Sequence, residues 1–133
     1  MRGFLAAWLP PLALMGLIFC LSAQPDLPHV PGPWLDTLIK KSAHMLVYGL
    51  LAWFYQRALF MRATGSRRTR WVSLLLAILY GLSDEIHQRF VPGRNGRLVD
   101  VVIDGVGAGG AMLLDWWRTR RLARPRPAPR AAR

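Results

Sequence analysis

The chain has 133 residues, of which 53% are hydrophobic and only 19% are charged. This length fits one domain, this composition excludes global disorder, and the lone cysteine, Cys20, excludes a disulfide scaffold. Lys and Arg outnumber the acids by 18 to 7, for a formal charge of +11, which is common in nucleic-acid-binding proteins. Soluble proteins of that class rarely carry so much apolar sequence, so no nucleic-acid partner is predicted.

Four apolar segments follow one another along the chain. They are residues 4–22, 42–60, 71–83 (with a helical pattern that can continue to 91) and 98–117. About 20 helical residues cross a hydrocarbon core of roughly 30 Å, and a helix satisfies its own backbone groups in lipid. The sequence therefore predicts an all-α polytopic membrane protein, a bundle of four transmembrane helices over residues 1–117. Residues 118–133, rich in Pro and Arg, are expected to form a disordered tail.

The first segment leaves an alternative open. Arg2, the apolar run and the small residues Ser22 and Ala23 resemble a cleavable signal peptide. The run is long for such a peptide, which favours a retained helix. The pair Pro10–Pro11 would kink this helix, and neighbouring helices in a membrane can tolerate such a kink. Because the segment has no ionisable residue, we expect it to shape the bundle rather than to carry chemistry.

The positive residues are distributed unequally between the two ends of the predicted bundle. With four spans, both termini share one side with 13 cations, whereas the other side has five. The 13 are Arg2, Arg57, Arg62, Arg67, Arg68, Arg70 and the seven arginines after Trp117; the five are Lys40, Lys41, Arg89, Arg94 and Arg97. Positive residues stay in the cytoplasm, so both termini are predicted there, with the basic tail on anionic lipid head groups.

Three of the spans carry polar side chains near their outer ends. They are Lys41, His44 and Tyr48 on the second span, Asp84, Glu85 and Gln88 on the third, and Asp100 and Asp104 on the fourth. Spacings of three and four residues place the members of each set on or near one helix face. Intramembrane acids are costly and generally face partners or water. We therefore expect a single outward-facing polar site.

The acids of this site need partners, for which the sequence offers four candidates: Lys41, His44, Arg94 and Arg97. Two alternatives stay open, because Lys41 could extend to the lipid head groups and Asp100 could cap its helix. A metal could also join acids and histidine, but no H-E-x-x-H spacing is present. Neither a metal nor another cofactor is predicted.

The polar residues form three motifs that resemble the VanZ-like family of small bacterial membrane proteins. The motifs are Lys41-x-x-His44-x-x-x-Tyr48-Gly49, Ser83-Asp84-Glu85-Ile86-His87-Gln88-x-Phe90-Val91-Pro92-Gly93-Arg94, and Asp100-x-x-x-Asp104-x-x-Gly107. The resemblance implies four transmembrane helices, an inner-membrane location and action on the cell envelope, since the founding member is associated with resistance to teicoplanin-type glycopeptides. It also implies functional positions at Lys41, His44, Tyr48, Glu85, Gln88, Arg94, Asp100 and Asp104. Position 104 is often asparagine in the family.

Three classes of function remain open. The leading hypothesis is binding or processing of a lipid or lipid-linked envelope molecule. The expected ligand-binding residues are Lys41, Tyr48, Gln88, Arg94, Asp100 and Asp104. In the second class the protein is an enzyme, with Glu85, His44 and Asp84 as candidate catalytic residues and Arg94 stabilising charge. The third class is a structural or transport bundle, and transport would require a homodimer because four spans make a poor pathway.

Overall fold

The computed structural model describes residues 2–25, 30–60 and 67–122. Within these ranges the chain forms four α-helices and no strand, which confirms the predicted all-α fold. The helices are α1 (Arg2–Ser22), α2 (Pro33–Phe60), α3 (Arg67–Gln88) and α4 (Leu98–Leu122). Arg62, counted above among the cytoplasmic cations, and the tail after Leu122 lie outside the described residues.

Helix α2 begins at Pro33, well before the apolar segment that starts at residue 42. Gly32 supplies a left-handed turn, with φ of +97°, immediately before this proline, and proline is favoured in the first turn of a helix. The following polar turns are stabilised by an ion pair of 2.7 Å between Lys40 Nζ and Asp36 Oδ2, one turn apart. Local capping and pairing thus extend the helix beyond its apolar part.

Helix α4 ends later than the sequence predicts. Residues 118–122, expected to belong to a disordered tail, are helical and continue α4 to Leu122. In this last part the guanidinium of Arg120 lies 4.3 Å from the ring centre of Trp116, and that of Arg121 lies 3.4 Å from the ring centre of Trp117. Such cation–π contacts, together with arginines near the negative end of the helix dipole, favour continued helix.

The bundle is organised around the crossing of α2 and α4. These two helices share the most extensive contact, α3 packs against both, and α1 packs against α2 and α3. The crossing is close because Gly49 on α2 faces Gly107 on α4: a Cβ placed at Gly49 would lie 3.0 Å from the carbonyl oxygen of Gly107. A Cβ at Gly107 would collide with the backbone carbonyl of Met45. Small residues therefore set the distance between the two helices that carry most of the polar site.

Helix length and hydropathy support the predicted four membrane spans only in part. Among the helices of the described residues, α1 alone, over Gly3–Ser22, is long and apolar enough to cross a membrane by composition. Polar residues lower the hydropathy of α2 and α3, and α4 carries Asp100, Asp104 and Asp115. Helix composition thus identifies a single candidate span.

Candidate functional site

Helices α2 and α4 are connected at one end of the bundle by two contacts, each between a basic side chain and a carboxylate. Nδ1 of His44 lies 3.1 Å from Oδ1 of Asp104, and the Asp104 side chain is almost completely buried. About one turn further out, Nζ of Lys41 lies 3.8 Å from Oδ1 of Asp100, and both of these side chains are partly exposed. Both pairs agree with the expectation that Lys41 and His44 are partners of the acids.

Glu85 is held from the opposite side by the loop that joins α3 to α4. Its Oε2 accepts a hydrogen bond of 2.7 Å from the backbone N–H of Arg97. The loop turns at Gly93, which has φ of +81°, and Gly96 approaches the carbonyl of Glu85 so closely that a Cβ could not fit. The Gly-rich loop thereby fixes the orientation of a carboxylate that is only 3% exposed.

Asp84 has a different environment from its neighbour Glu85. Its Oδ2 accepts hydrogen bonds of 2.9 Å from Ser22 Oγ and 2.9 Å from Gln88 Nε2. All three side chains are buried, so this network joins the end of α1 to the end of α3. The one site expected from the sequence thus consists of two adjacent groups, one centred on Asp84 and the other on Glu85, His44 and Asp104.

Tyr48 lies between these two groups and is 1% exposed. Its ring and Asp104 Oδ2 both approach Gly81 on α3, each 3.3 Å from the position that a Cβ would occupy. Within the described part of the chain, the hydroxyl of Tyr48 and Oδ2 of Asp104 have no hydrogen-bond partner although both atoms are buried. Buried polar atoms without partners are uncommon, and each calls for an explanation.

The polar groups line a cleft of about 460 Å³ at this end of the bundle. Its lining includes Lys41, His44, Glu85, Gln88, Arg94, Arg97 and Asp100. A second cavity of about 180 Å³ shares Lys40, His44 and Arg94 with the cleft and is otherwise lined mainly by α1 and α2, including Ile18, Leu21, Ala43 and Val47. Asp84 and Tyr48 also face this second cavity. A polar cleft therefore adjoins a largely apolar crevice.

Three side chains of the cleft region form a set that could hold a metal ion. A donor atom from each of His44, Glu85 and Asp104 lies within 4.8 Å of the other two. They come from α2, α3 and α4, so no spacing within one helix reveals the set.

Two contributions to the site come from α1, which the sequence assigns only a packing role. Ser22 donates to Asp84, and the carbonyl of Leu21 accepts a hydrogen bond of 3.3 Å from Arg94 Nη2. The expected pairing of the Arg94 and Arg97 side chains with the acids is not found among the described residues. Arg94 donates to this carbonyl, and Arg97 contacts Glu85 through its backbone N–H. A serine at a helix end gives no ligand signal in sequence, so Ser22 could not have been singled out.

Comparison with known protein families finds a match over most of the chain. The family model described as VanZ/LLP1 matches residues 7–118, a range that contains every residue of the two polar groups. No curated protein matches the chain, and no solved structure does. Because the match covers most of the chain and contains all three motifs, the chain belongs to the VanZ/LLP1 family.

Proposed function

We propose that the chain is a four-span protein of the bacterial inner membrane that binds a lipid-linked envelope molecule or lipid head group in its polar cleft. The support for membrane embedding is the distribution of polarity. Large apolar side chains are exposed on all four helices, whereas Gln56, Ser73, Asp84, Glu85 and Asp104 are buried. A protein in water rarely exposes so much contiguous apolar surface, but a bundle in lipid does so by necessity.

The proposed orientation places the cleft outside and both termini in the cytoplasm. At the opposite end of the bundle, Arg70 Nε is 2.7 Å from Asp115 Oδ2, and the stacked Arg120 and Arg121 lie beside Trp116 and Trp117. Tryptophan is enriched at membrane interfaces, and arginine is retained on the cytoplasmic side. This end therefore suits the cytoplasmic boundary, from which the basic tail would extend over anionic head groups.

The single observation that carries the ligand proposal is the junction of the polar cleft with the apolar crevice. An amphiphilic ligand needs one polar and one apolar compartment in contact. The cleft offers the cations Lys41, Arg94 and Arg97 for a phosphate. The crevice offers Ile18, Leu21 and other apolar side chains of α1 and α2 for the start of an acyl or prenyl chain.

The cations of the cleft can change partners when a head group binds. The Lys41–Asp100 distance of 3.8 Å is too long for a strong hydrogen bond, and Nε of Arg94 is buried with no partner in the described residues. A phosphate could accept from both side chains. Asp100 would then be available to sugar hydroxyls or to an amine, while Gln88 would stay bonded to Asp84.

Native mass spectrometry of the full-length protein, purified in a mild detergent, tests this proposal. We expect a co-purified lipid of phosphate-bearing class, and we expect its occupancy to fall strongly in the double variant Lys41→Ala/Arg94→Ala. The matched control Arg57→Ala/Arg118→Ala removes two cations from the opposite end and should retain the lipid. Equal lipid content in the wild type and the cleft variant would refute head-group binding there.

Catalysis is a second candidate function, favoured by the contact between His44 and Asp104. A buried carboxylate that orients an imidazole is the usual arrangement for a general base, and His44 is one-third exposed and lines the cleft. Glu85, held by the loop, would be the other acid–base group. If the protein is an enzyme, it also processes the envelope molecule that it binds. Asp84 would then position α1 against α3.

Binding and catalysis differ in the expected behaviour of Glu85→Gln. If the site is catalytic, this variant keeps its co-purified lipid but loses the cellular effect of the protein, for which susceptibility of a bacterial host to teicoplanin is the readout suggested by the family. Asp115→Asn, the same acid-to-amide change at the opposite end of the bundle, is the control. Wild-type behaviour of Glu85→Gln in both assays would exclude a catalytic role for this carboxylate.

A further inference from the structure

We propose that His44, Glu85 and Asp104 bind a single divalent ion of the Zn²⁺ class at the inner end of the polar cleft. The donor atoms of these three side chains lie within 4.8 Å of one another. Bonds of about 2.1 Å in tetrahedral geometry require donors about 3.4 Å apart, so the donors would have to approach one another by at most about 1.4 Å when an ion binds. This inference does not rest on the identity of the lipid ligand.

Two carboxylates of the site, Glu85 and Asp104, share a single basic side chain, that of His44, as their near neighbour among the described residues. Asp84 accepts two hydrogen bonds from Ser22 and Gln88, and Asp100 is near Lys41. Glu85 and Asp104 remain, both nearly buried, with His44 as a neighbouring side chain that can carry a positive charge. Two carboxylates in such proximity repel each other unless a proton or a cation lies between them. A divalent ion would neutralise both.

An unpartnered oxygen provides a second, independent observation. Asp104 is 1% exposed, and its Oδ2 has no hydrogen-bond partner among the described residues, whereas Oδ1 of the same carboxylate contacts His44. A buried carboxylate oxygen without a donor costs free energy. A cation bound by Oδ2 would remove that cost.

The donor atoms determine the kind of ion. One imidazole nitrogen and two carboxylate oxygens suit Zn²⁺ and similar first-row ions, whereas Ca²⁺ and Mg²⁺ are bound almost entirely by oxygen. Three protein ligands leave one position of a tetrahedral ion open, as in zinc sites that bind a substrate. His44 and Glu85 line the cleft, so this open position would be reached from the cleft.

The surroundings of the three side chains also fit a metal site. The backbone N–H of Arg97 donates to Glu85 Oε2 at 2.7 Å, which fixes the carboxylate in the way that outer partners commonly orient metal ligands. Gly81 leaves room for Asp104, because a Cβ there would lie 3.3 Å from Oδ2. The three helices therefore hold the donors close together without help from an ion.

Metal titration of the purified full-length protein tests the proposal. The protein carries an affinity tag without histidine, is treated with EDTA and is dialysed. ZnCl₂ is then added and followed by isothermal titration calorimetry, with elemental analysis for stoichiometry. We expect a single Zn²⁺ per chain, no comparable binding of CaCl₂, and affinity lowered roughly tenfold or more in Glu85→Gln and Asp104→Asn.

Two control variants test whether the ion binds at this site rather than at another histidine or another acid. His87→Gln, with an imidazole that stacks on Phe19 at 4.5 Å, and Asp115→Asn at the opposite end should bind Zn²⁺ like the wild type. If Asp104→Asn does not fold, the visible spectrum of the Co²⁺-loaded protein decides, since its tetrahedral band should disappear in His44→Gln. Absence of stoichiometric Zn²⁺ in the wild type, or unchanged binding in the site variants, overturns the proposal and leaves a shared proton between Glu85 and Asp104.

Discussion

His44 on α2 and Asp104 on α4 are in contact through Nδ1 and Oδ1, 3.1 Å apart, beside the closest approach of the two helices. Gly107, which allows that approach, lies about one turn along α4 from Asp104. The polar site and the tightest helix crossing are therefore parts of one interface. A change in either should affect the other.

The His44–Asp104 contact should be measurable as a coupling energy. In a double-mutant cycle with His44→Gln and Asp104→Asn, performed in EDTA, we expect a coupling of about 1–3 kcal/mol in the free energy of unfolding, because the two groups share a hydrogen bond in a buried site. Unfolding in mixed micelles with increasing dodecyl sulfate, followed by circular dichroism, measures it.

The control cycle for this coupling pairs His87→Gln with Asp104→Asn. His87 stacks on Phe19 of α1, whereas the imidazole in contact with Asp104 is that of His44, so the two free-energy changes should add to within about 0.5 kcal/mol. Simple additivity in the His44–Asp104 cycle as well would show that the contact contributes nothing to stability.

The crossing of α2 and α4 should be sensitive to a single methyl group. A Cβ at Gly107 would collide with the carbonyl of Met45, whereas a Cβ at Gly109, on the same helix, meets no atom within 4 Å. We therefore expect Gly107→Ala to lower the free energy of unfolding by about 1–3 kcal/mol, the usual cost of overpacking. Gly109→Ala should be neutral or stabilising, because alanine favours helix.

The midpoints of thermal unfolding of Gly107→Ala and Gly109→Ala, measured in the same detergent, test this prediction. Equal midpoints for Gly107→Ala and Gly109→Ala would mean that the helices can separate at little cost, and that small residues do not set their distance. A lower midpoint for Gly107→Ala combined with weaker lipid retention would link the crossing to the cleft.

Much of the fold and most of the site follow from local patterns in the sequence. Four helices are predictable because each apolar segment is long and is separated from the next by turn-forming or charged residues. Lys41, His44 and Tyr48 are predictable as one set because spacings of three and four place them on one face. Their meeting with the acids of α3 and α4 follows from the cost of burying a carboxylate alone.

The remaining features depend on tertiary contacts, which spacing within one segment does not encode. Ser22 contributes to the site because the end of α1 docks against Asp84, and nothing in its sequence neighbourhood distinguishes it from a surface serine. The set of His44, Glu85 and Asp104 is drawn from three helices, so a search for metal motifs along one helix misses it. The early start of α2 is different, because it comes from the local Gly32–Pro33 turn, which a search for apolar segments does not register.

The proposed topology predicts which residues are accessible from outside an intact cell. In a Cys20→Ser background, Asn95→Cys lies in the loop beside the cleft, and Arg118→Cys lies near the end of α4. We expect a membrane-impermeant maleimide to label the first variant in intact cells and the second only after the cells are opened. This result follows from the excess of cations at the Arg118 end.

Labelling of opened cells provides the control, since both cysteines should then react. Reaction of Arg118→Cys in intact cells, or protection of Asn95→Cys there, would reverse or abolish the proposed orientation. In either case the cleft would not face the envelope side of the membrane.

Tyr48 and Tyr80 offer a matched test of what a buried hydroxyl does in this bundle. The Tyr48 hydroxyl makes no hydrogen bond of good geometry among the described residues, although the Asp84 carboxylate is near it, whereas the Tyr80 hydroxyl donates to the carbonyl of Met15 at 2.6 Å. Removal of an unsatisfied buried hydroxyl is neutral or favourable, and loss of a satisfied one costs about 1 kcal/mol. Tyr80→Phe should therefore lower the free energy of unfolding, and Tyr48→Phe should not.

The two tyrosine variants should rank in the opposite order when the retention of co-purified lipid is measured. Tyr48 lines the crevice where it adjoins the cleft, and its hydroxyl is buried in the free protein. A ligand that enters the crevice and displaces the neighbouring side chains would expose this hydroxyl to its polar part, so Tyr48→Phe should lose co-purified lipid while Tyr80→Phe keeps it. Native mass spectrometry beside unfolding measurements gives both results from one preparation. Tyr48→Phe could instead be as destabilising as Tyr80→Phe and retain its lipid. The partner of the Tyr48 hydroxyl would then belong to the protein and not to the ligand, and the hydroxyl would be a structural group.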